Sequence, residues 1–304
     1  MINEEQKNEL RCRLAGFLIE EEPLALKTAF KIGGAAAFYL QPESLEELEL
    51  ALQTLVELEL QFLILGGGYN ILVGDAGVRD QVVIGLGKGF GQLEIVGADS
   101  WSVMLRVECG VHLSQLVKLS EVEGYGGLEK LAGIPGTVGG ALAMNAGAYG
   151  VTIYDCLAAL QIMEKAGLVW LSASRLKPAY RDGGLSSEQV VVAAYFLLGR
   201  RAPHEVAKTI VEVKELRWQR LPRGAHGGSI FKNPTGDFAG RLLDESGCKG
   251  MRCGGAYVSG EHANVIVADQ GSRADEVRAL MKSMQARVRD RYGVNLEPEI
   301  KIYS

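Results

Sequence analysis

The sequence predicts an α+β fold in more than one domain, and three observations carry that prediction. Helical and strand signatures both recur along the 304 residues, a length that allows two or three hydrophobic cores. The 39 glycines are clustered, which marks sharp turns or places where backbone meets a ligand. A fresh start follows Arg200-Arg201, where Pro203 opens a new amphipathic helix.

The elements follow in order. After Pro42, Ser44 with Glu47 forms a capping box, and Leu45, Leu48, Leu52 and Leu55 repeat at helical spacing. Phe62-Leu63-Ile64-Leu65 is a short buried strand running into Gly66-Gly67-Gly68-Tyr69-Asn70 and on to Ile71-Leu72-Val73. Residues 103–109 alternate as a half-buried strand, and Leu113, Leu116, Val117 and Ser120 predict a helix after it. Residues 157–163 and 190–198 read as strands. The helix from Pro203 aligns Val206, Ile210 and Val213 on one face. The last long helix is predicted from near Ser272, with Asp275 in capping-box position and Val277, Leu280, Met281, Met284 and Val288 at helical spacing. The ending Leu296 to Ile302 reads as a strand.

Composition excludes several classes of function. Hydrophobic residues make up 47% and charged residues 23%, an ordinary globular balance. The net charge of -5 argues against a nucleic-acid partner, which needs a basic face. No apolar run is long enough to span a membrane and no signal core follows Met1, so a cytoplasmic enzyme is expected. The five cysteines are scattered and odd in number, which reads as reduced thiols. His112, His204, His226 and His262 form no metal-ligand set, and no metal is expected.

Three glycine-rich segments hold the chemistry. Gly227-Gly228-Ser229-Ile230-Phe231-Lys232-Asn233-Pro234 places a hydroxyl, a cation and a carboxamide close together on loosened backbone. A hydroxyl can donate a proton, and lysine and asparagine suit phosphate and nucleobase groups. The same segment also reads as a strand entered from a turn. Gly66 to Asn70 lacks the third glycine of the dinucleotide fingerprint. It reads as a nest of N–H groups for a pyrophosphate or as a tight hairpin. Leu131 to Ala141, continuing to Asn145 and Gly150, is almost bare of large side chains. Such backbone suits a flat, extended ligand or a packed turn between layers. Two bare loops in one chain favour one large cofactor.

In order, these segments carry a resemblance. Thr28 to Gly34, Gly66 to Val73, Gly133 to Ala141, Tyr180-Arg181, Gly228 to Pro234, His262-Ala263-Asn264 and Leu296 to Glu299 together resemble the UDP-N-acetylenolpyruvoylglucosamine reductase family over nearly the whole chain. The glycine loops are shared with wider vanillyl-alcohol-oxidase-like flavoproteins, whereas the Ser229 and Glu299 segments are specific. The resemblance implies a two-lobed FAD-binding module of the vanillyl-alcohol-oxidase type plus a third α+β substrate domain. On this chain the lobes would be 1–87 and 88–200, and the substrate domain 201–304, with the last strand free to return to the first lobe. It implies the shorter type of enzyme, because residues 201–222 offer no extra tyrosine-bearing loop.

The same resemblance implies non-covalent FAD, NADPH as co-substrate and a UDP-sugar substrate. FAD would contact Gly66, Gly67, Gly68, Tyr69, Asn70, Ile71, Gly133, Ile134, Pro135, Gly136, Thr137, Gly139, Gly140, Ala141 and Asn145. Tyr180, Lys232, Asn233 and Asn264 would meet the substrate. Hydride transfer to an enolpyruvyl ether would leave an enolate, with Ser229 supplying the proton, and Arg181 and protonated Glu299 holding the charge. His262 reads as a structural histidine. No His or Cys stands in the Gly66 to Asn70 loop, and Cys109 is discounted as a flavin link. Two positions depart from the family: Gly183 where a serine is usual, and Tyr69 where serine is frequent. A flavin oxidase of the same fold, or a flavin-carrying module without turnover, are the competing readings.

Overall fold

A computed structural model of the protein describes residues 2–303. The chain divides into two compact units. The first comprises Met1–Ile19, Tyr39–Gly67 and Asp80–Leu216, and the second Glu20–Phe38, Gly68–Arg79 and Arg217–Ser304. Among the described residues no helix is long and apolar enough to cross a membrane.

In the first unit the helix Leu45–Glu57 starts as the pattern predicts. The Ser44 hydroxyl accepts the Glu47 N–H at 3.2 Å, and Leu48, Leu52 and Leu55 are buried. The strand Phe62–Leu65 pairs in parallel with Val82–Gly85, which also pairs with the end of Ala35–Leu40 through Tyr39 and Leu40. A larger antiparallel sheet runs in the order Gly167–Ser172, Leu157–Glu164, Val190–Arg200, Ser102–Glu108, Leu93–Ala98. Its alternation is visible in the sequence: Val103, Leu105 and Val107 are fully buried, while Ser102, Met104 and Arg106 between them are partly exposed. The helix Leu113–Glu123 buries Leu113, Leu116, Val117 and Ser120 and stops at Gly124, whose φ of 71° closes it.

In the second unit Phe30, Ile32 and Leu72 join Ile230, Phe231, Leu242, Leu243 and the apolar face of Ala274–Tyr292 in one core. Phe30 and Phe231 are both almost completely buried, so each contributes roughly 1.5–3 kcal/mol of apolar burial. Gly227 makes room for this packing, since a Cβ there would lie 2.5 Å from the Phe30 ring. Glycine is required at that point by contact, not by backbone conformation.

Two expectations are corrected here. The last long helix spans Ala274–Tyr292 and is capped by a residue remote in sequence. Both Asp75 carboxylate oxygens accept its first N–H groups, from Ala274 at 2.9 Å and Asp275 at 3.1 Å. Ser272 instead donates its hydroxyl to the Asp269 carbonyl, and Glu276 rather than Asp275 reaches back to the Arg273 N–H. The predicted strand over 296–302 is also shorter. Only Lys301–Tyr303 is regular, lying parallel to Ile71–Val73. Pro298 has no N–H for a ladder, so residues 297–299 pair irregularly with Ile230 to Lys232 instead.

Candidate active site

Within the first unit, the second glycine segment is anchored by its own backbone. Leu113 donates to Gly136 O, Val138 to Val111 O and Gly139 to Cys109 O, all within 2.9 Å. Gly133 and Gly136 take φ of 77° and 109°, which a side chain would strain, and Pro135 stiffens the turn between them. Thr137 accepts the Gly140 N–H and caps the short helix Val138–Ala143. A Cβ on Gly66 would lie 2.9 Å from the Thr137 hydroxyl, so Gly66 and the second loop need bare backbone against each other. Cys109 is buried under Gly139, and burial pushes its thiol up, leaving it protonated and unreactive.

The same loop reaches Arg181. Ala179 and Asp182 exchange two backbone hydrogen bonds, which closes a two-residue turn over Tyr180 and Arg181. Arg181 takes a φ of 62°, the position where such a turn normally carries glycine. A left-handed non-glycine residue costs about 1–2 kcal/mol, and Arg181 shares that conformation with Glu21, Lys31, Glu59, Asn145 and Tyr149. Asn145, itself at φ 42°, donates from Nδ2 to the Ala179 carbonyl at 3.0 Å. Its Oδ1 is buried without a hydrogen-bond partner in the protein. Such an acceptor is expensive to bury unmet and fits a ligand N–H. Arg181 lies over the Tyr180 ring at 5.1 Å and donates weakly toward Gly147 O at 3.5 Å.

The departure at Gly183 has a physical cause. A Cβ there would sit 2.2 Å from the Leu142 carbonyl oxygen and 2.8 Å from the Tyr154 hydroxyl. That hydroxyl donates to Gly183 O, and Gly183 N donates to Ala143 O. A serine at position 183 has no room without movement of the Leu142 carbonyl or of the turn.

The second unit gathers the rest. Gly68 has φ 68°, and a Cβ on it would lie 2.0 Å from Lys27 O, so the Thr28 segment packs directly on the first glycine loop. Asn70 donates from Nδ2 to Glu299 O, and its own carbonyl accepts the Lys301 N–H. Lys232 N donates to Glu297 O and Glu299 N to Ile230 O, which sets the Ser229 segment alongside Glu299. The Lys232 ammonium lies 3.6 Å from the Glu297 carboxylate. Asn233 accepts the Ala239 N–H at 3.0 Å, so its carbonyl holds the start of the helix Ala239–Glu245. Tyr69 is exposed.

Asn264 is buried, and its amide pairs with both polar groups of Phe231, at 2.9 Å and 2.8 Å. These two bonds use one Oδ1 lone pair and one Nδ2 hydrogen of the amide. His262 accepts the Asn264 N–H at Nδ1, and burial pushes the ring toward its neutral form. His226 had no role in the sequence reading, yet its Nδ1 accepts the Gly228 N–H beside Ser229. Its only sequence signal was a His two residues before a glycine, which is too common to use.

The close-packed glycine turns at Gly66 and Gly133 to Gly140 stand with an unmet acceptor, Asn145 Oδ1, that fits a ligand N–H. The class is that of an FAD-binding α+β protein: the FAD binding domain family matches residues 36–172. The C-terminal domain of UDP-N-acetylenolpyruvoylglucosamine reductase matches residues 220–303. The enzyme of that name from Geobacter metallireducens is 37% identical over 302 residues, 99% of each chain. That from Rubrobacter xylanophilus is 38% identical over 93% of this chain and 94% of its own. The crystal structure of UDP-N-acetylenolpyruvylglucosamine reductase from Thermus caldophilus superposes with a TM-score of 0.83 at 33% identity, covering 95% of this chain and all of that one. The chain belongs to the UDP-N-acetylenolpyruvoylglucosamine reductase family.

Proposed function

We propose that the protein reduces the enolpyruvyl ether of UDP-N-acetylglucosamine enolpyruvate to UDP-N-acetylmuramate, with NADPH as reductant, in the cytoplasm and in the service of peptidoglycan precursor synthesis. The observation that supports this reading is the backbone pairing of Ile230 to Lys232 with Glu297 to Glu299, in which Glu299 lies opposite Ile230, the residue after Ser229, within a chain of this family. FAD would be held by Gly66 to Ile71 and by Gly133 to Asn145, with 1–87 and 88–200 as its lobes and 201–304 as the substrate domain. When bound, it supplies hydride from NADPH to the methylene carbon of the enolpyruvyl group.

The side chains handle the charge and the proton. Negative charge develops at the neighbouring carbon and its carboxylate. The planar fork of Arg181 stays charged and matches two oxygens at once. Glu299 in its acid form donates to the same oxygens. Ser229 gives its proton to the carbon. Tyr180, Lys232 and Asn233 bind the nucleotide-sugar, with Lys232 as the cation for phosphate.

The test is product analysis. Purified protein with NADPH and the enolpyruvyl substrate should yield the lactyl ether, heavier by two hydrogens, with one solvent-derived hydrogen on the carbon that Ser229 protonates. Unchanged substrate with rapid oxygen consumption would mark a flavin oxidase instead.

A further inference from the structure

We infer that Asn264 is a positioning residue for Ser229. The inference rests on the function proposed above and concerns a side chain that touches no reacting atom. The segment Ile230 to Lys232 belongs to no regular sheet, yet both of its edges are hydrogen-bonded. One edge meets backbone: Lys232 N donates to Glu297 O at 2.9 Å and Glu299 N to Ile230 O at 2.8 Å. The other edge meets one residue. Ile230 N donates to the Asn264 carbonyl at 2.9 Å, Phe231 N to its Oδ1 at 2.9 Å, and its Nδ2 donates to Phe231 O at 2.8 Å. The Asn264 amide thus does for Phe231 what a paired strand residue would do.

Only a neutral carboxamide fits. Oδ1 faces an N–H and Nδ2 faces a carbonyl, so the amide has one satisfactory orientation. The His262 ring, accepting the Asn264 N–H, and the Asn264 burial at 3% exposure fix the residue itself. Upstream of Ser229, Gly227 packs on the Phe30 ring and Gly228 turns at φ 79°. On its C-terminal side the clamp begins at the next residue, where Ile230 and Phe231 both have N–H and C=O hydrogen-bonded. His226 adds only a single contact, from Gly228 N to its Nδ1.

The experiment combines Asn264→Asp and Asn264→Ala with Ser229→Ala in the FAD-loaded enzyme, following each half-reaction by anaerobic stopped-flow. Asn264→Asp keeps the shape and the acceptor but sets an oxygen against the Phe231 carbonyl. Misplacing a proton donor by an ångström costs about 10²-fold, so oxidation of the reduced flavin by substrate should slow by about 10–100-fold. Reduction by NADPH should hold its parent rate, and the solvent isotope effect on the slowed step should rise. In the Ser229→Ala background the Asn264 change should add less than about twofold, the spread of independent effects. Equal losses in both backgrounds would overturn the inference, as would parallel loss of both half-reactions or an unaltered isotope effect. Should Asn264→Ala fail to fold, the isosteric Asn264→Asp decides alone, and failure of both to fold would make Asn264 a stability residue and overturn the inference. If Ser229→Ala itself leaves the second half-reaction intact, the function reading fails first, a result distinct from additivity.

Discussion

Gly183→Ser, which installs the residue usual in the family, should damage this chain. Its Cβ would stand 2.2 Å from the Leu142 carbonyl oxygen and 2.8 Å from the Tyr154 hydroxyl. Ordinary contact needs more than an ångström of extra room, and the nearer atom is backbone. Either the turn at Tyr180-Arg181 or the segment from Leu142 to Asn145 must move. Overpacking of this kind costs about 1–3 kcal/mol. Movement on that scale also breaks the Gly183 N to Ala143 O bond of 3.1 Å and the Tyr154 bond of 2.8 Å to Gly183 O. Each of the two lost bonds adds about 0.5–1.5 kcal/mol, for a total of about 2–6 kcal/mol. At roughly 2–4 °C per kcal/mol for a unit of this size, the melting temperature should fall by about 4–24 °C. Arg181 lies two residues away, so substrate reduction should drop by about 10²-fold even where the protein remains folded. Differential scanning fluorimetry and steady-state turnover read both effects. A melting temperature within about 1 °C of the parent with normal turnover would refute the claim that Gly183 is fixed by contact, since overpacking alone predicts more.

Arg181→Lys keeps the charge and loses the two-pronged geometry, so substrate reduction should fall strongly while flavin reduction by NADPH changes little. Near-normal turnover would make Arg181 a surface residue. Asp75→Ala removes the cap of Ala274–Tyr292 and should cost about 0.5–2 kcal/mol in urea unfolding near neutral pH. Burial opposes the Asp75 charge, but the N–H groups of Ala274 and Asp275 and the Arg273 cation outweigh it and hold its carboxyl below the usual value. A depressed folded pKa gives stability that is full above the unfolded value and lost as pH falls through the folded one. The gap between parent and variant should therefore be constant near neutrality and close below about pH 4, where free aspartate protonates; a gap that widens on acidification would contradict it. Denaturation should release intact FAD, and flavin remaining on the denatured chain would disprove the non-covalent assignment.

Local chemistry was legible in the sequence, and remote pairing was not. The helix after Ser44, the alternation over 103–109 and the helix through Leu113, Leu116, Val117 and Ser120 each follow from patterns within a few residues. The helix at Ala274 was misread at its start because its cap comes from Asp75, some two hundred residues earlier. Contiguous reading is likewise blind to Phe30 and Leu72 packing with Ile230 and Met284. At the site, the residue types of Ser229, Lys232 and Glu299 were readable from order and resemblance. The pairing of Asn264 with Phe231 was not, because a carboxamide serves a nucleotide or a peptide group equally well and the two residues lie far apart in sequence.

The central claim is that Ser229 supplies the proton after hydride has reached the substrate. Ser229→Ala, followed by anaerobic stopped-flow, tests it most directly. Reduction of bound flavin by NADPH should keep its parent rate, and reoxidation by the enolpyruvyl substrate should slow by at least the roughly 10²–10⁴-fold of a lost general acid. Both half-reactions at parent rate, or a loss confined to the NADPH step, would contradict the account.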